Sequence, residues 1–241
     1  MGDISVAEAA RRLGVGVPRV HQRIADGSLP ATRVGSQWVI DEASLAPAAE
    51  SHAPGRPLSH RSAWALLALS QSDQDALDAL APAERSRARE RLQRLLAQSP
   101  PGARPSEVEA QAAAALLRSW FRNRAERRLY RASPRDLPDM RDDHRLTLTG
   151  LSHPRSGIAA GDLVEGYLAA EYVDDVVADH LLSTPAADRD ANVVLHVAAA
   201  APGPMAPLLL AADLAEHRRP REEARAAELL REIAAERRPS L

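Results

Sequence analysis

The sequence contains no cysteine and no lysine, and its aromatic residues are only three Trp, three Tyr and one Phe among 241 residues. Without cysteine the chain can form neither disulfide bonds nor thiolate metal sites, which fits the reducing cytoplasm in which we expect the protein. With so few aromatic side chains, hydrophobic cores must be built from leucine, valine and alanine. Because lysine is absent, arginine supplies all 31 basic side chains.

Long hydrophobic runs are also absent. The most apolar stretch, residues 193–215, is interrupted by His196 and by three prolines, so we predict no membrane span and no membrane partner. Acidic residues at positions 3 and 8 precede any apolar run, which argues against a signal peptide. A chain of this length is long enough for two or three small domains.

Residues 4–13 carry the signals of a short helix. Ser5 and Glu8 have the spacing of a capping box, in which the Ser5 hydroxyl accepts from the Glu8 amide and the Glu8 carboxylate accepts from the Ser5 amide. Apolar residues then recur at helical spacing and define one face. We predict that Gly14 ends this helix, because glycine adopts the left-handed conformation at little cost.

A second helix is predicted from Val17 to Ala25, with one apolar and one polar side. The apolar side, which we predict to be buried, consists of Val17, Val20 and Ile24. The polar side carries the candidate DNA contacts Pro18, Arg19, Gln22 and, on its flank, Arg23. In the major groove arginine can pair with guanine and glutamine with adenine. Either arginine can instead hold a phosphate, which fixes position but reads no sequence.

A two-stranded hairpin is predicted over residues 32–40. Gly35 at the first central position suits a two-residue turn between the strands. In that register Arg33 lies opposite Trp38. The candidate phosphate contacts on this hairpin are Arg33, Ser36 and Gln37.

Together these elements resemble the excisionase and MerR-type winged helix-turn-helix. The residues that carry the resemblance are the run VAEAARRLGV, Val20, Ile24, the segment GSLPATRVG and Trp38, all within residues 4–45. The sequence departs from the family at Gly16, where a Ser or Asn cap is usual, and at His21, where an aromatic residue is usual. The resemblance implies a module that places one helix in the major groove of duplex DNA.

The charge of this region limits how strongly one copy can bind. Residues 1–60 contain six arginines and six acidic residues, so their formal net charge is zero. DNA-binding domains normally carry a basic excess. We therefore expect a second binding unit or a homo-oligomer on an operator in double-stranded DNA.

The remainder of the chain is predicted to be rich in helices, with a few strands. We divide the sequence into a winged helix-turn-helix (1–48), a Pro/Ala-rich linker (49–60), a helical region (61–125) and a small α+β domain (126–241). Helices are predicted over 82–96, 173–182, 207–217 and 220–237, with a short helix capped by Ser72 and another that begins at a capping box at Ser106. Strands are predicted over 144–149 and 192–198. The fold class expected is mainly α with small β elements.

An arginine cluster lies near the centre of the chain. Its candidate partner-binding members are Arg118, Arg122, Arg124, Arg127, Arg128 and Arg131. One interpretation is a surface that binds phosphates or an acidic partner. The other is a solvated helix face whose arginines pair with acidic residues such as Asp136, Asp139, Asp142 and Asp143. The sequence leaves both interpretations open.

The C-terminal part resembles the antitoxins of abortive-infection E-type toxin–antitoxin systems. The segments concerned are RLTLTGLSHPRSGIAAGD, VEGYLAAEYVDDVVADHLL, ANVVLHV and PLLLAADLAEHRRPREEARAAELL. The charge balance changes here, since residues 146–241 carry nine arginines and 15 acidic residues. The resemblance implies a repressor of its own operon that also binds a cognate toxin, a nucleotidyltransferase-like protein.

No motif for catalysis emerges. The eight histidines show no spacing typical of metal ligands, and no nucleophile elbow or phosphate-binding glycine loop is present. Asp175 and Asp179 could share a metal on a helix, but that spacing is more typical of a solvated face. We predict a DNA-binding regulator that is not an enzyme and has no cofactor or metal. The alternatives are a protein-interaction scaffold whose winged helix is a docking module and, in third place, a metal-dependent nuclease.

Overall fold

The computed structural model describes residues 3–13, 16–25, 29, 31–35, 37–41, 57–99 and 104–237. The chain divides into two compact units, Met1–Pro54 and Gly55–Leu241. Helices predominate and the strands form small sheets, so the predicted fold class is confirmed. No helix in the described part of the chain is long and apolar enough to cross a membrane.

The first unit combines two helices with a small antiparallel sheet. Its elements are β1 (Asp3–Ser5), α1 (Val6–Leu13), α2 (Val17–Ala25), β2 (Thr32–Val34) and β3 (Gln37–Asp41). The strand order is β1-β3-β2, and Arg33 pairs with Trp38 as predicted. Gly35 in the connecting turn has a φ of 62°, a conformation that glycine adopts without strain. The pairing of β1 with β3 was not predicted, because three residues are too few to show an alternating pattern.

The core of the first unit lies between the helices and the sheet. Ala9 on α1, Val20 on α2 and Ile40 on β3 are fully buried in it. The small side chain of Ala9 lets neighbouring backbone approach closely. The prediction that Val17 is buried was wrong, since it is 42% exposed. Val17 is the first residue of α2, so no preceding helical turn packs beside it.

The second unit contains both helices and a mixed sheet. Its helices are α3 (His60–Gln71), α4 (Gln74–Asp78), α5 (Pro82–Leu96), α6 (Glu107–Trp120), α7 (Leu137–Arg141), α8 (Val173–Asp179), α9 (Pro207–Glu216) and α10 (Pro220–Glu236). Its strands are β4 (Glu126–Tyr130), β5 (Thr147–Leu148), β6 (Val164–Ala169) and β7 (Val193–Ala198). The strand order is β4-β7-β6-β5, with β6 and β7 parallel and the other pairs antiparallel.

Two hydrophobic clusters support this unit. In the larger one, Leu117 on α6 meets Leu210 on α9 and Leu230 on α10, and all three are fully buried. Helices from both sides of residue 125 therefore share one core. The smaller cluster lies against the sheet and includes Leu168 and Leu195. The division at residue 125 into two domains remains a prediction.

Several predicted boundaries are confirmed and others are wrong. Helix α5 has the predicted bounds, and Ser106 forms a capping box with Glu109 at the start of α6. Ser72 does not cap the next helix: it ends α3 in the left-handed conformation, and Asp73 accepts the capping hydrogen bond of α4. The helix predicted over 173–182 ends at Asp179, and the strand predicted over 144–149 covers only 147–148.

Candidate nucleic-acid interface

Helix α2 presents its predicted polar side to solvent. Pro18, Arg19 and Gln22 are exposed, whereas Val20 on the opposite side is fully buried. A guanidinium N–H of Arg19 donates to Gln22 Oε1 at 2.7 Å. The two residues are three positions apart and therefore neighbours on the helix surface. The bond holds the two candidate base-reading groups side by side.

Other candidate contacts lie on or beside this helix and on the hairpin. Arg23 lies within α2, and Arg33 on β2 and Gln37 on β3 are both exposed. Ser36 lies outside the described residues. Two apolar side chains are also exposed, Val17 on α2 and Val34, which is 61% exposed, on β2. The exposed surface of α2 and the hairpin is therefore mainly polar, with Val17 and Val34 as its apolar side chains.

Helix α1 adds positive charge to the same unit. The Ser5 hydroxyl accepts from the Glu8 amide at 3.2 Å, which is one of the two bonds of the predicted capping box. The Glu8 carboxylate accepts from Arg12 at 2.9 Å and also from Arg11, and these bonds lower the pKa of Glu8. Two exposed arginines therefore share one carboxylate, which leaves α1 with a net positive surface.

Comparison with family models identifies this region. Residues 4–52 match a model described as a helix-turn-helix domain. The N-terminal unit is therefore similar to a helix-turn-helix domain, as the sequence predicted. Comparison with curated proteins and with solved structures gave no match. The match supports a DNA-binding regulator and concerns only the N-terminal part of the chain.

The arginine cluster of the second unit does not form one surface. Arg118 donates to Glu223 at 2.6 Å and to the Ala215 carbonyl at 3.0 Å, and its side chain is 15% exposed. Arg124 is buried, with a side chain only 2% exposed. Arg118 therefore links α6 to α9 and α10, and Arg124, in the loop after α6, links that loop to α9.

Arg124 is the centre of a buried polar network. Its guanidinium donates to Asp213 at 2.8 Å, to the Tyr167 hydroxyl at 2.7 Å and to Glu216 at 2.5 Å. The hydroxyl of Thr149 donates to the other oxygen of Asp213. Burial opposes the charge of Arg124, but Asp213, Tyr167 and Glu216 together outweigh it and raise the pKa of Arg124 above its ordinary value.

The other cluster members lie nearer the surface, in a loop and on strand β4. Arg122 is exposed, Arg127 lies 3.7 Å from Glu216, Arg128 donates to Glu126 at 2.9 Å, and Arg131 donates to the Asp190 carbonyl at 2.7 Å. The six arginines do not lie on one helix face, because β4 begins at Glu126. The acidic partners of the cluster are Glu126, Asp213, Glu216 and Glu223, rather than the aspartates of residues 136–143.

A second buried group was missed from the sequence. Glu165 on β6 is buried and accepts from His196 on β7 at 3.0 Å and from His217, directly after α9, at 2.8 Å. Burial disfavours its charge, but the two histidines hold the pKa of Glu165 below its ordinary value. The available signal was a single ionisable residue inside each of the apolar runs VEGYLA and VVLHVA.

Asp179, one of the two aspartates considered as metal ligands, belongs to an ion-pair group with Arg145 and Asp143. Asp143 accepts from Arg145 at 2.6 Å and bonds His180 at 2.9 Å, and Arg145 also donates to Asp179 at 2.8 Å. Arg145 and His180 hold the pKa of Asp143 below its ordinary value, Arg145 being the larger cause. Within the described ranges, no group of three or more His, Asp or Glu side chains has a geometry suited to a metal ion.

Proposed function

We propose that this protein is a transcriptional regulator that inserts α2 into the major groove of operator DNA and steadies it with the β2–β3 hairpin. The observation that carries this proposal is the exposed pair of Arg19 and Gln22, joined by a hydrogen bond on the side of α2 away from the core. Arginine and glutamine read guanine and adenine edges in the major groove. Their location in a helix-turn-helix domain supports the same role.

The remaining contacts of the domain would be to phosphates. Arg23, Arg33 and Gln37, together with Ser36, fix position on the duplex in this proposal, while Pro18 lets the start of α2 approach the groove closely. The zero net charge of residues 1–60 favours a homo-oligomer on the operator, because two copies double the number of contacts. Analytical ultracentrifugation with and without DNA tests that assembly.

Arg19→Ala tests the base-reading role. We expect Arg19→Ala to weaken binding to the promoter fragment of the protein's own gene by about 1–3 kcal/mol, since a bidentate contact to guanine is lost. Fluorescence anisotropy with the full-length protein measures the change. Arg189→Ala, at a side chain 88% exposed in the second unit, is the matched control. Equal affinity of the two variants would refute the role of Arg19.

We further propose that the regulator is the antitoxin of a bacterial toxin–antitoxin operon. Its C-terminal unit would bind a nucleotidyltransferase-like toxin while the N-terminal domain represses the operon. The resemblance of four C-terminal segments to abortive-infection E-type antitoxins supports this role, as does the acidic balance of residues 146–241.

Of the arginine cluster, the exposed Arg122, Arg127 and Arg131 remain available to a partner, whereas Arg118 and Arg124 form internal ion pairs. Co-purification with the product of the neighbouring gene tests the proposal, and a neighbouring gene unrelated to toxins would contradict it.

The exposed apolar residues favour a second candidate, a scaffold whose winged helix docks on protein. Val17 and Val34 would supply apolar contacts to such a partner. The salt dependence of binding separates the two functions. DNA binding should weaken steeply as salt rises, because counterions are released from the phosphates, whereas docking through valines should change little.

A further inference from the structure

Helix α5 carries a row of arginines that the proposed function does not use. Arg87, Arg91 and Arg94 are spaced four and three residues apart, so they lie along one side of the helix. We call these three residues the α5 stripe. Ala88, Leu92 and Leu95 are buried on the neighbouring side of α5, which fixes the orientation of the helix and keeps the stripe at the surface of the unit.

The stripe contrasts with those arginines of the second unit that form internal ion pairs. Arg118, Arg124 and Arg145 are each held by carboxylates. Among the described residues, no hydrogen bond or ion pair holds the guanidinium of Arg87, Arg91 or Arg94. The nearby Glu84 already accepts two bonds from Arg61, at 2.6 and 3.0 Å, and one from the Ala81 amide at 3.0 Å, which with a smaller contribution from Arg87 lower its pKa to about 2.

Two members of the stripe face a small polar cavity. The cavity has a volume of about 190 Å³ and lies between α3 and α5, with Arg61, Ser62, Glu84, Arg87 and Arg91 in its lining. A water molecule takes about 30 Å³ of liquid volume, so the cavity has room for a hydrated phosphate group. Three guanidinium groups face one carboxylate here, and the lining therefore carries a net charge of +2.

We propose that the α5 stripe and this cavity bind phosphates of a duplex DNA backbone, an inference that rests on the proposed function. Guanidinium groups match phosphate geometry and stay charged at every physiological pH. From Arg87 to Arg94 the helix rises roughly 10 Å, a length over which one strand of B-DNA carries about three phosphates. Arg94 extends the row beyond the cavity lining, which suits a polymer of phosphates better than one free anion. Residues 1–60 have no net charge, so cations from the second unit would add to the phosphate contacts proposed for Arg23 and Arg33.

The test is the salt dependence of DNA affinity, measured with the full-length protein. The variant Arg87→Gln/Arg91→Gln/Arg94→Gln is compared with Arg89→Gln/Arg135→Gln/Arg189→Gln, which removes the same charge from exposed positions off the stripe. Circular dichroism checks that both variants are folded. The plot of log Kd against log salt should become shallower by about 3 for the stripe variant, roughly 1 for each lost phosphate contact. The loss should be equal on promoter and random duplexes, because backbone contacts read no sequence.

The outcomes separate this inference from the proposed function. If the stripe variant and the control variant have the same slope while the wild type binds DNA, the stripe proposal is overturned and the regulator proposal stands. If the wild type binds no DNA, both proposals fail. Calorimetric titration with inorganic phosphate and with ATP tests for a small ligand instead. If the wild type binds either one, and the stripe variant loses that binding but keeps its DNA affinity, the DNA assignment is also overturned.

Discussion

At the scale of single residues, the same side chain has opposite roles in the two units. Arg19 is exposed on a short helix and is bonded only three residues away, to Gln22. Arg124 is buried, and it donates to Tyr167 and Asp213, which lie 43 and 89 positions further along the chain. The exposure of Arg19 follows from local helical periodicity, and it could be predicted. The burial of Arg124 depends on the packing of α9 against α6, which no local pattern contains.

Arg124→Leu should destabilise the second unit strongly. Removing the guanidinium leaves the buried carboxylate of Asp213 without its ion pair, and breaking a buried pair in this way costs about 3–5 kcal/mol. Urea denaturation followed by circular dichroism measures the free energy of unfolding.

The neighbouring exposed residue provides the control. Arg122→Leu should change the free energy of unfolding by no more than about 0.5 kcal/mol, as is usual for surface substitutions. The double variant Arg124→Leu/Asp213→Leu should recover part of the loss, because both charges are then absent. Equal stabilities of Arg122→Leu and Arg124→Leu would show that the buried network contributes nothing.

At the scale of helices and strands, prediction succeeded where the signals are local. The bounds of α5 follow from Pro82 in the first turn and from apolar residues at helical spacing, and the start of α6 follows from its capping box. Strand β4 was missed because Glu126, Arg127 and Arg128 obscure the alternation of an edge strand. Charged residues on an edge strand protect it from pairing with other chains, so the same residues that hide the strand protect its edge.

The bond between Glu165 and His217 links strand β6 to the end of α9, and it should make stability depend on pH. Burial lowers the pKa of His217, but the bond to Glu165 and the negative charges of Glu165 and Glu222 together outweigh it, so the pKa is raised. The contribution of His217 is therefore complete below its unfolded pKa of about 6.5 and is lost as pH rises through the higher folded value. Glu165 has a lowered pKa, so its contribution is lost only as pH falls below its ordinary range.

His217→Gln should accordingly cost more stability at pH 5.5 than at pH 9. Besides Glu165, the charged groups Glu222 and Arg127 also act on His217, and the substitution leaves both in place. Urea denaturation of the wild type and the variant at the two pH values gives the difference. His144→Gln, at a side chain 94% exposed, is the matched control for the loss of an imidazole. A cost for His217→Gln that is the same at both pH values would contradict the coupling.

At the scale of the whole molecule, the sequence was most informative about the first unit. There the candidate site lies within residues 17–37, and helix periodicity was sufficient to predict that Arg19 and Gln22 share the exposed side of α2. In the second unit the polar groups that meet are separated by dozens of residues, as Glu165 and His217 are. Their meeting depends on the parallel pairing of β6 with β7 and on helix packing, which the sequence pattern does not specify.

The central claim is that the exposed side of α2 reads base edges in duplex DNA. A selection of bound duplexes from a random library, carried out in parallel with the full-length wild type and with Arg19→Ala, tests it most directly. We predict that the wild type enriches one motif containing guanine, that methylation of guanine N7 in the major groove prevents binding, and that Arg19→Ala loses the preference at that position. Enrichment of the same motif by both proteins, or of none by the wild type, would contradict the account.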